Sequence, residues 1–413
     1  MKSSFGKYFM GDFTIWGVFF ALCAISLVEV FSAGSALAYK SGNFMDPLIR
    51  QAEMLAGSIL VAWLLHFIPY RNFRLCPIIM VPTSIFLLLY TLFFSRAVNG
   101  GSRWIRLGGL FTFQPSEFAK LSVIMAVALI LANTQRAEGA GNKAFKSILW
   151  VTCPIVLLIF SENLSTAILL SGVVFLMMFV GRVPLRQLGK LAGVGALIFA
   201  LGLGSYAALR AAGQEQVIKK IGVFHRVDTW VSRVDSHAEG AGTDDPAEYD
   251  LANNAQSAHA NIAIASSNVV GKLPGNSVER DFLAQAFSDF IFAIIIEEMG
   301  IGGAAIVVIL YVTLLVRGWR IASRCEYCFP AFLCLGLVLM LVSQALLNML
   351  IAVGLFPVSG QPLPIISRGG TSTIIFGAYF GIILSVSRSA KKKKKGNAQV
   401  AESVAAEENN SEA

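Results

Sequence analysis

The sequence predicts an all-α polytopic membrane protein of about ten transmembrane helices, both termini cytoplasmic, with a large extracytoplasmic loop between the seventh and eighth spans. Three observations carry this. Of 413 residues 55% are hydrophobic and only 14% charged, with a mean hydropathy of +0.67, whereas soluble domains carry about a quarter charged residues. Apolar runs near the roughly 20 residues that cross a bilayer recur along the chain. Lys and Arg concentrate in alternate short loops, as the positive-inside rule requires. A soluble enzyme, a disordered chain and a collagenous chain are thereby excluded. Six cysteines in 413 residues are too sparse for a disulfide scaffold. The net charge of +8 is no nucleic-acid signal, because five of the charges are the run Lys391 to Lys395.

The predicted spans are, in order, Thr14–Phe31, Met54–Ile68, Cys76–Phe94, Phe118–Leu131, Ile148–Phe160, Leu164–Val180 and Leu191–Leu209, then Ile301–Val316, Phe329–Leu355 and Thr373–Val386. Several fall short of full length, so their ends borrow polar flanks. An even count puts both termini on one side. Arg71 and Arg74, then Arg136, Lys143 and Lys146, then Arg182, Arg186 and Lys190, then Arg317, Arg320 and Arg324 mark alternate loops as cytoplasmic, as do the terminal lysines. The turn Ser161-Glu162-Asn163 between has no positive charge. Arg96, Arg103 and Arg106 run against this trend in an outside loop. Ala36-Leu37-Ala38 looks like a signal-peptidase site, but Glu29 and nine further spans argue for an uncleaved first helix. Residues 1–390 form the transmembrane domain, with the extracytoplasmic segment 212–281 read as loop from stretches such as Glu239 to Pro246; residues 391–413 form a basic, then disordered, cytoplasmic tail. No internal repeat is evident, which counts against an inverted-repeat transporter.

Charges at membrane depth are costly, so each is a functional candidate. Gln114-Pro115-Ser116-Glu117-Phe118-Ala119-Lys120 opens the fourth span: Pro115 suits the first helical position and Lys120 can pair with Glu117 three residues earlier. Just upstream, Gly101-Ser102-Arg103-Trp104 reads as an interfacial piece whose arginine suits lipid phosphate. The stretch from Ala286 to Gly300 sets Asp289, Glu297 and Glu298 in an apolar helical context, with Glu297 about 80° round the axis from Asp289. Asp289 stands among Phe and Ile, where desolvation raises a carboxyl pKa and suits it to general-base work. From Leu355 to Ser372, three prolines and three glycines before Thr371 break the chain between two spans. Non-helical backbone at that depth must be packed in protein or line a cavity, and Gly369-Gly370 can present N–H groups to an anion. Cys325 and Cys328 lack a second pair for zinc, the four histidines show no ligand spacing, and no phosphate-binding loop or serine-hydrolase elbow is present.

Taken together these stretches resemble the SEDS family (shape, elongation, division and sporulation), whose members include FtsW and RodA. The pieces are Arg103-Trp104-Ile105 with Gln114-Pro115-Ser116-Glu117 and Lys120, Asp289-Phe290-Ile291-Phe292-Ala293 through Gly300, and Pro357-Val358-Ser359-Gly360 to Pro364 followed by Ser367 and Gly369-Gly370. They occur in the family's order over nearly the whole chain. Gly11-Asp12 and Ser32-Ala33-Gly34-Ser35 resemble the FtsW branch more than the RodA branch. The resemblance implies a peptidoglycan glycosyltransferase of the inner (cytoplasmic) membrane that polymerises lipid II into glycan strands on the extracytoplasmic side during septal wall synthesis, releasing undecaprenyl pyrophosphate with inversion. It implies Asp289 as catalytic base, and Arg103, Glu117, Lys120, Gln256, Ser367, Arg368, Gly369 and Gly370 as substrate-binding candidates, with Arg226 and Lys272 as further cations for pyrophosphate. It also implies a divalent cation (Mg or Mn) without an organic cofactor, and a class B penicillin-binding protein and other divisome proteins as partners. The sequence departs from the family pattern at Asn163, where an aspartate is usual, at Phe282 to Ser288, and at Arg368, where an aromatic residue is usual. Two rival readings are a lipid II flippase and a non-catalytic divisome scaffold; neither needs a base at Asp289.

The Lys/Arg asymmetry makes a direct prediction. Reporter fusions at Lys143 and after Lys395 read cytoplasmic, and one at Gly242 reads external. A cytoplasmic signal at Gly242 overturns the orientation.

Overall fold

The computed structural model describes residues 8–41, 45–94, 105–107, 111–213, 228, 231, 251–283 and 289–390. Eleven α-helices dominate these residues: α1 Phe13–Ser41, α2 Asp46–Phe67, α3 Cys76–Phe94, α4 Pro115–Thr134, α5 Asn142–Glu162, α6 Leu164–Val180, α7 Leu185–Ala211, α8 Leu251–Ala265, α9 Ile291–Ser323, α10 Cys328–Ala352 and α11 Thr371–Ala390. Two short antiparallel hairpins, β1 Ile105–Leu107 with β2 Phe111–Phe113 and β3 Gln135–Arg136 with β4 Gly139–Ala140, sit at the two ends of α4. Each predicted span coincides with one helix. Nine are long and apolar enough to cross a membrane. The tenth, α6, has 17 residues, about 26 Å at 1.5 Å per residue, a little short of the hydrocarbon thickness. The extra helix is α8, inside the segment read as loop. It lacks a long apolar run and instead buries small residues, Ala258, Ala260 and Ala263, so a search for spans passes over it.

Burial is uneven, and the unevenness locates the centre. α4, α10 and α11 are the most enclosed helices, and α10 packs against α4, α6 and α9. Gly336 of α10 makes this approach possible, since a Cβ there would lie 2.6 Å from Met177 Cε and 2.8 Å from Ile124 Cγ2. α7 is the opposite case: only Leu188 and Tyr206 are buried in it, and Leu197, Ile198 and Leu201 face outward, as side chains facing lipid do. The outer apolar surface needs no protein partner in a bilayer, so helix association rests on close packing and polar contacts. α11 shows this against α2. Gly377 and Gly381, one turn apart, would place a Cβ 2.3 Å from Ser58 O and 2.8 Å from Ala62 O.

α9 differs from its predicted form at both ends of its first segment. Helix begins at Ile291, so Asp289 stands in a turn before the N-cap Phe290 and not within a helix. The helix then breaks at Gly300, with φ 68° and ψ −172°. The break frees two carbonyls, and an outside strand of chain takes them: Lys272 N–H donates to Glu297 O at 2.9 Å and Leu273 N–H to Glu298 O at 2.8 Å. Gly271 lies so close that a Cβ there would meet Glu298 O at 2.4 Å, and one on Gly300 would meet Val269 O at the same distance. The segment 268–273 thus completes α9 across its break.

The α2–α11 contact generates a test. Gly377→Ala forces about 1–3 kcal/mol of displacement, and Gly377→Val more. The thermal midpoint of detergent-purified Gly377→Val protein falls well below wild type. An unchanged midpoint refutes the close approach of α11 and α2.

Candidate functional site

The non-helical segment between α10 and α11 is the structural centre of the site. Leu363, Ile365, Ile366 and Ser367 are all at most 2% exposed, so this backbone lies where water cannot satisfy it. Side chains from three helices do so instead. Gln344 Nε2 of α10 donates to Pro362 O at 3.0 Å, and Asn348 Nδ2, one turn on, donates to Gln361 O at 2.7 Å. Ser26 Oγ of α1 donates to Ile366 O at 2.9 Å and Tyr311 of α9 to Pro364 O. Gln361 reaches Thr166 Oγ1 of α6 at 2.7 Å. Within the segment, Leu363 N–H donates to Ser367 Oγ at 2.7 Å while Ser367 N–H donates to Leu363 O at 2.9 Å. Ser367 therefore holds a tight turn around Ile365, whose φ of 69° is a left-handed conformation in a β-branched residue. Strained backbone of this kind persists only where its surroundings over-determine it.

The same two α10 amides tie in the other candidates. Lys120 Nζ lies 2.7 Å from Glu117 Oε1 and donates at 2.7 Å to Gln344 Oε1. Both members of this pair are buried, at 0% and 1% exposure, and Glu117 Oε2 has no hydrogen-bond partner among the described residues. Asn348 Nδ2 also donates to Asp289 O at 2.9 Å. One face of α10 thus brings together the Glu117–Lys120 pair, the main chain of Asp289 and the broken segment. Asp289 is half-buried there, at the positive end of the α9 dipole, which favours a carboxylate.

A second ionic layer braces α9 from the loop side. Glu297 accepts from Lys272 Nζ at 2.7 Å, from Val278 N–H at 3.1 Å and from Ser277 Oγ. Glu298 accepts from Ser32 Oγ of α1 and lies 3.6 Å from Arg280 Nη1, which also donates to Ser32 O at 2.6 Å. Lys272, a sequence candidate for pyrophosphate, is paired with Glu297 in this arrangement. Lys120 is likewise enclosed, so its charge faces protein groups and not solvent.

The remaining candidates are more scattered. Arg103, Arg226, the stretch Ala284–Ser288 and the lysine run lie outside the described residues. Gln256 is a half-buried residue of α8. Arg368 is half-buried, and partial burial, then the like charge of Arg50, pull its guanidinium below the ordinary arginine pKa. Gly370, with φ 54°, lies against Thr112 of β2, and Thr371 Oγ1 donates to Thr112 O at 2.8 Å, joining the hairpin that follows Arg103 to the Gly369-Gly370 end of the broken segment. Asn163 caps α6, accepting from Thr166 N–H at 3.2 Å, a task an amide performs as well as the family's aspartate. Sequence reasoning passed over Gln344, Asn348 and Gln361. Their signal was present: two amides four residues apart in the otherwise apolar Phe329–Leu355 run. For a divalent cation, the described residues contain no group of three or more His, Cys, Asp and Glu that could hold a metal.

With this geometry in view, comparison with known proteins is informative. Residues 12–392 match the model of the FtsW/RodA/SpoVE family, described as cell cycle protein. A probable peptidoglycan glycosyltransferase FtsW of Halomonas elongata is 30% identical over 387 residues, covering 91% of this chain and 90% of the relative. Its namesake in Pseudomonas fluorescens is 29% identical over 384 residues, covering 91% and 87%, and the stage V sporulation protein E of Bacillus subtilis is 27% identical, covering 89% and 94%. Among solved structures, a chain of a peptidoglycan synthase complex superposes with a TM-score of 0.68 at 24% identity, covering 92% of this chain and 98% of that one. The rod shape determining protein RodA of Thermus thermophilus superposes at 0.63 and 24%, covering 93% and 99%. Both structures share the fold.

The buried pair predicts an asymmetric mutational pattern. Lys120→Ala leaves Glu117 uncompensated and Gln344 Oε1 without its donor, costing about 3–5 kcal/mol. The double change Glu117→Gln with Lys120→Met removes both charges and restores the yield of monodisperse protein. Equal yields for Lys120→Ala and wild type would show that no buried charge is left stranded.

Proposed function

Because this chain belongs to the FtsW/RodA/SpoVE cell cycle protein family, we propose that it is a peptidoglycan glycosyltransferase that polymerises lipid II during septal wall synthesis. The observation that carries the mechanism is the convergence on α10: Asn348 holds the main chain of Asp289 beside the broken segment, and Gln344 holds Lys120 one turn away. Asp289 is the proposed general base. It takes the proton of the acceptor sugar hydroxyl as that oxygen bonds to the donor's anomeric carbon. The bond from that carbon to pyrophosphate breaks on the opposite face, and its electron pair leaves with undecaprenyl pyrophosphate. Inversion follows from this in-line geometry. Groups that stabilise the charge building on the leaving phosphate accelerate such a step. Arg103 and Arg368 are the proposed phosphate-binding cations, with Gly369 and Gly370 offering N–H groups and Gln256 contacting sugar. Ser367 acts by shaping the turn, and Glu117 with Lys120 act by positioning, since their buried pair reaches the broken segment through Gln344.

A Mg or Mn ion is part of the proposal as a companion of the pyrophosphate. Ions of this kind are commonly held in large part by substrate phosphate oxygens, and no step above runs through it. The multi-pass chain is proposed to lie in the cytoplasmic membrane with the Asp289 end extracytoplasmic. Its proposed partners are a class B penicillin-binding protein, other divisome proteins and the nascent glycan strand.

Asp289→Asn tests this reading. The amide keeps the size of the carboxyl and removes its basicity, so polymerisation of labelled lipid II by purified protein with its partner falls by about 10²–10⁴-fold. Lipid II binding and monodispersity persist. Near-wild-type polymerisation by folded Asp289→Asn protein refutes the assignment.

A further inference from the structure

The end of the bundle far from Asp289 carries a second concave feature. A cavity of about 520 Å³ opens between the α2–α3 turn, the α9–α10 turn and the end of α11, with Arg71, Arg324, Arg388, Tyr70, Tyr327 and Glu326 on its wall. The 33 residues of α9 separate it from Asp289, about 50 Å of helix. Three guanidiniums face a single carboxylate, yet among the described residues none of the three forms an ion pair. Arginines beside the cavity behave differently. Arg317 Nη2 donates to both carboxylate oxygens of Asp12, at 2.9 and 2.8 Å, and Arg74 lies over the Phe329 ring at 5.6 Å. Arg71, Arg324 and Arg388 differ from other cations without an ion pair among the described residues, such as Arg136 and Arg320, in converging on one concave recess. Arg388 is also pre-set, because its Nη2 donates to Phe67 O at the end of α2 at 3.2 Å while Nη1 has only Met10 Sδ at 4.0 Å.

We propose that this cavity binds the phosphate headgroup of an anionic phospholipid, from the leaflet at the end of the bundle that carries Asp12 and Ala390. The guanidinium fork matches phosphate oxygens. Tyr70 and Tyr327 suit the headgroup level, where one end of a side chain is wet and the other apolar. Basic pockets between helices at a membrane face recognise such headgroups. Where the α2–α3 turn runs into α3, Leu75, Ile78 and Ile79 are 67%, 65% and 71% exposed, an apolar strip where acyl chains can lie. A soluble phosphate compound shares the headgroup chemistry but leaves that strip unused.

The test uses full-length protein in nanodiscs of phosphatidylcholine doped with phosphatidylglycerol, with retained lipid read by native mass spectrometry. Wild type retains phosphatidylglycerol preferentially, and Arg71→Gln, Arg324→Gln and Arg388→Gln together abolish the preference, each arginine being worth roughly fivefold. Arg136→Gln with Arg186→Gln, at the same end but outside the cavity, leaves it intact. Equal loss in this control variant, or no preference in wild type, overturns the proposal. Displacement of the lipid by millimolar glycerol 3-phosphate, which has the headgroup phosphate and no tails, reassigns the cavity to a soluble ligand and also overturns it. If the triple variant is not monodisperse, Arg71→Gln at its exposed turn position decides: a roughly fivefold drop supports the site and no drop refutes it.

Discussion

A bilayer supplies no water to satisfy backbone groups, and that constraint organises this protein. Helices meet it internally, but the chain between α10 and α11 is not helical, and its part around Gln361 to Ser367 is buried. The carbonyls there therefore need donors from within the segment or from another element. Gln344 and Asn348 provide two, Ser26 and Tyr311 two more. These polar side chains are costly inside a membrane unless paired, and the broken segment is what pairs them. The helices cannot separate from the segment without stranding polar groups on both sides, so one set of hydrogen bonds holds the bundle together and fixes the shape of the site.

The same logic governs α9. A glycine at Gly300 interrupts the helical ladder, and the loop strand 268–273 donates the N–H groups that the interrupted helix lacks. The break then becomes a fixed junction between a spanning helix and an extramembrane loop. Glu297 and Glu298, next to the break, are held by Lys272, Ser277, Val278, Ser32 and Arg280. Their charge is spent on the junction. Asp289, two residues before the helix starts, keeps a half-buried position by contrast. Glu29 adds an unresolved element to this layer: it is wholly buried on α1, one turn from Ser32, and neither of its oxygens has a hydrogen-bond partner among the described residues.

The opposite end of the molecule follows different physics. There the turns are short, the arginines are exposed or half-exposed, and charge is balanced locally at Arg317–Asp12 but not around the cavity. A membrane protein has two interfaces with water and headgroups. This one devotes the first to a hydrogen-bonded candidate site and leaves the second with an open cationic recess.

The sequence by itself determined the ten apolar spans, because transfer of apolar side chains into lipid is a property of composition and run length that no tertiary contact is needed to reveal. It also determined the pairing of Glu117 with Lys120, since three residues of helix place them together, and it marked the 355–372 segment as a break through its prolines and glycines. The helix α8 and the turn around Asp289 were not legible in this way. Helix α8 is stabilised by burying alanines that an apolar-run search ignores, and the turn before α9 depends on which distant side chain answers the carbonyl of Asp289. Only the tertiary structure decided that Asn348, 59 residues away, does so, that Lys120 points at Gln344, and that Lys272 answers Glu297. Contacts between distant segments depend on how helices pack, and packing in lipid turns on small residues and single hydrogen bonds whose partners one-dimensional spacing does not encode.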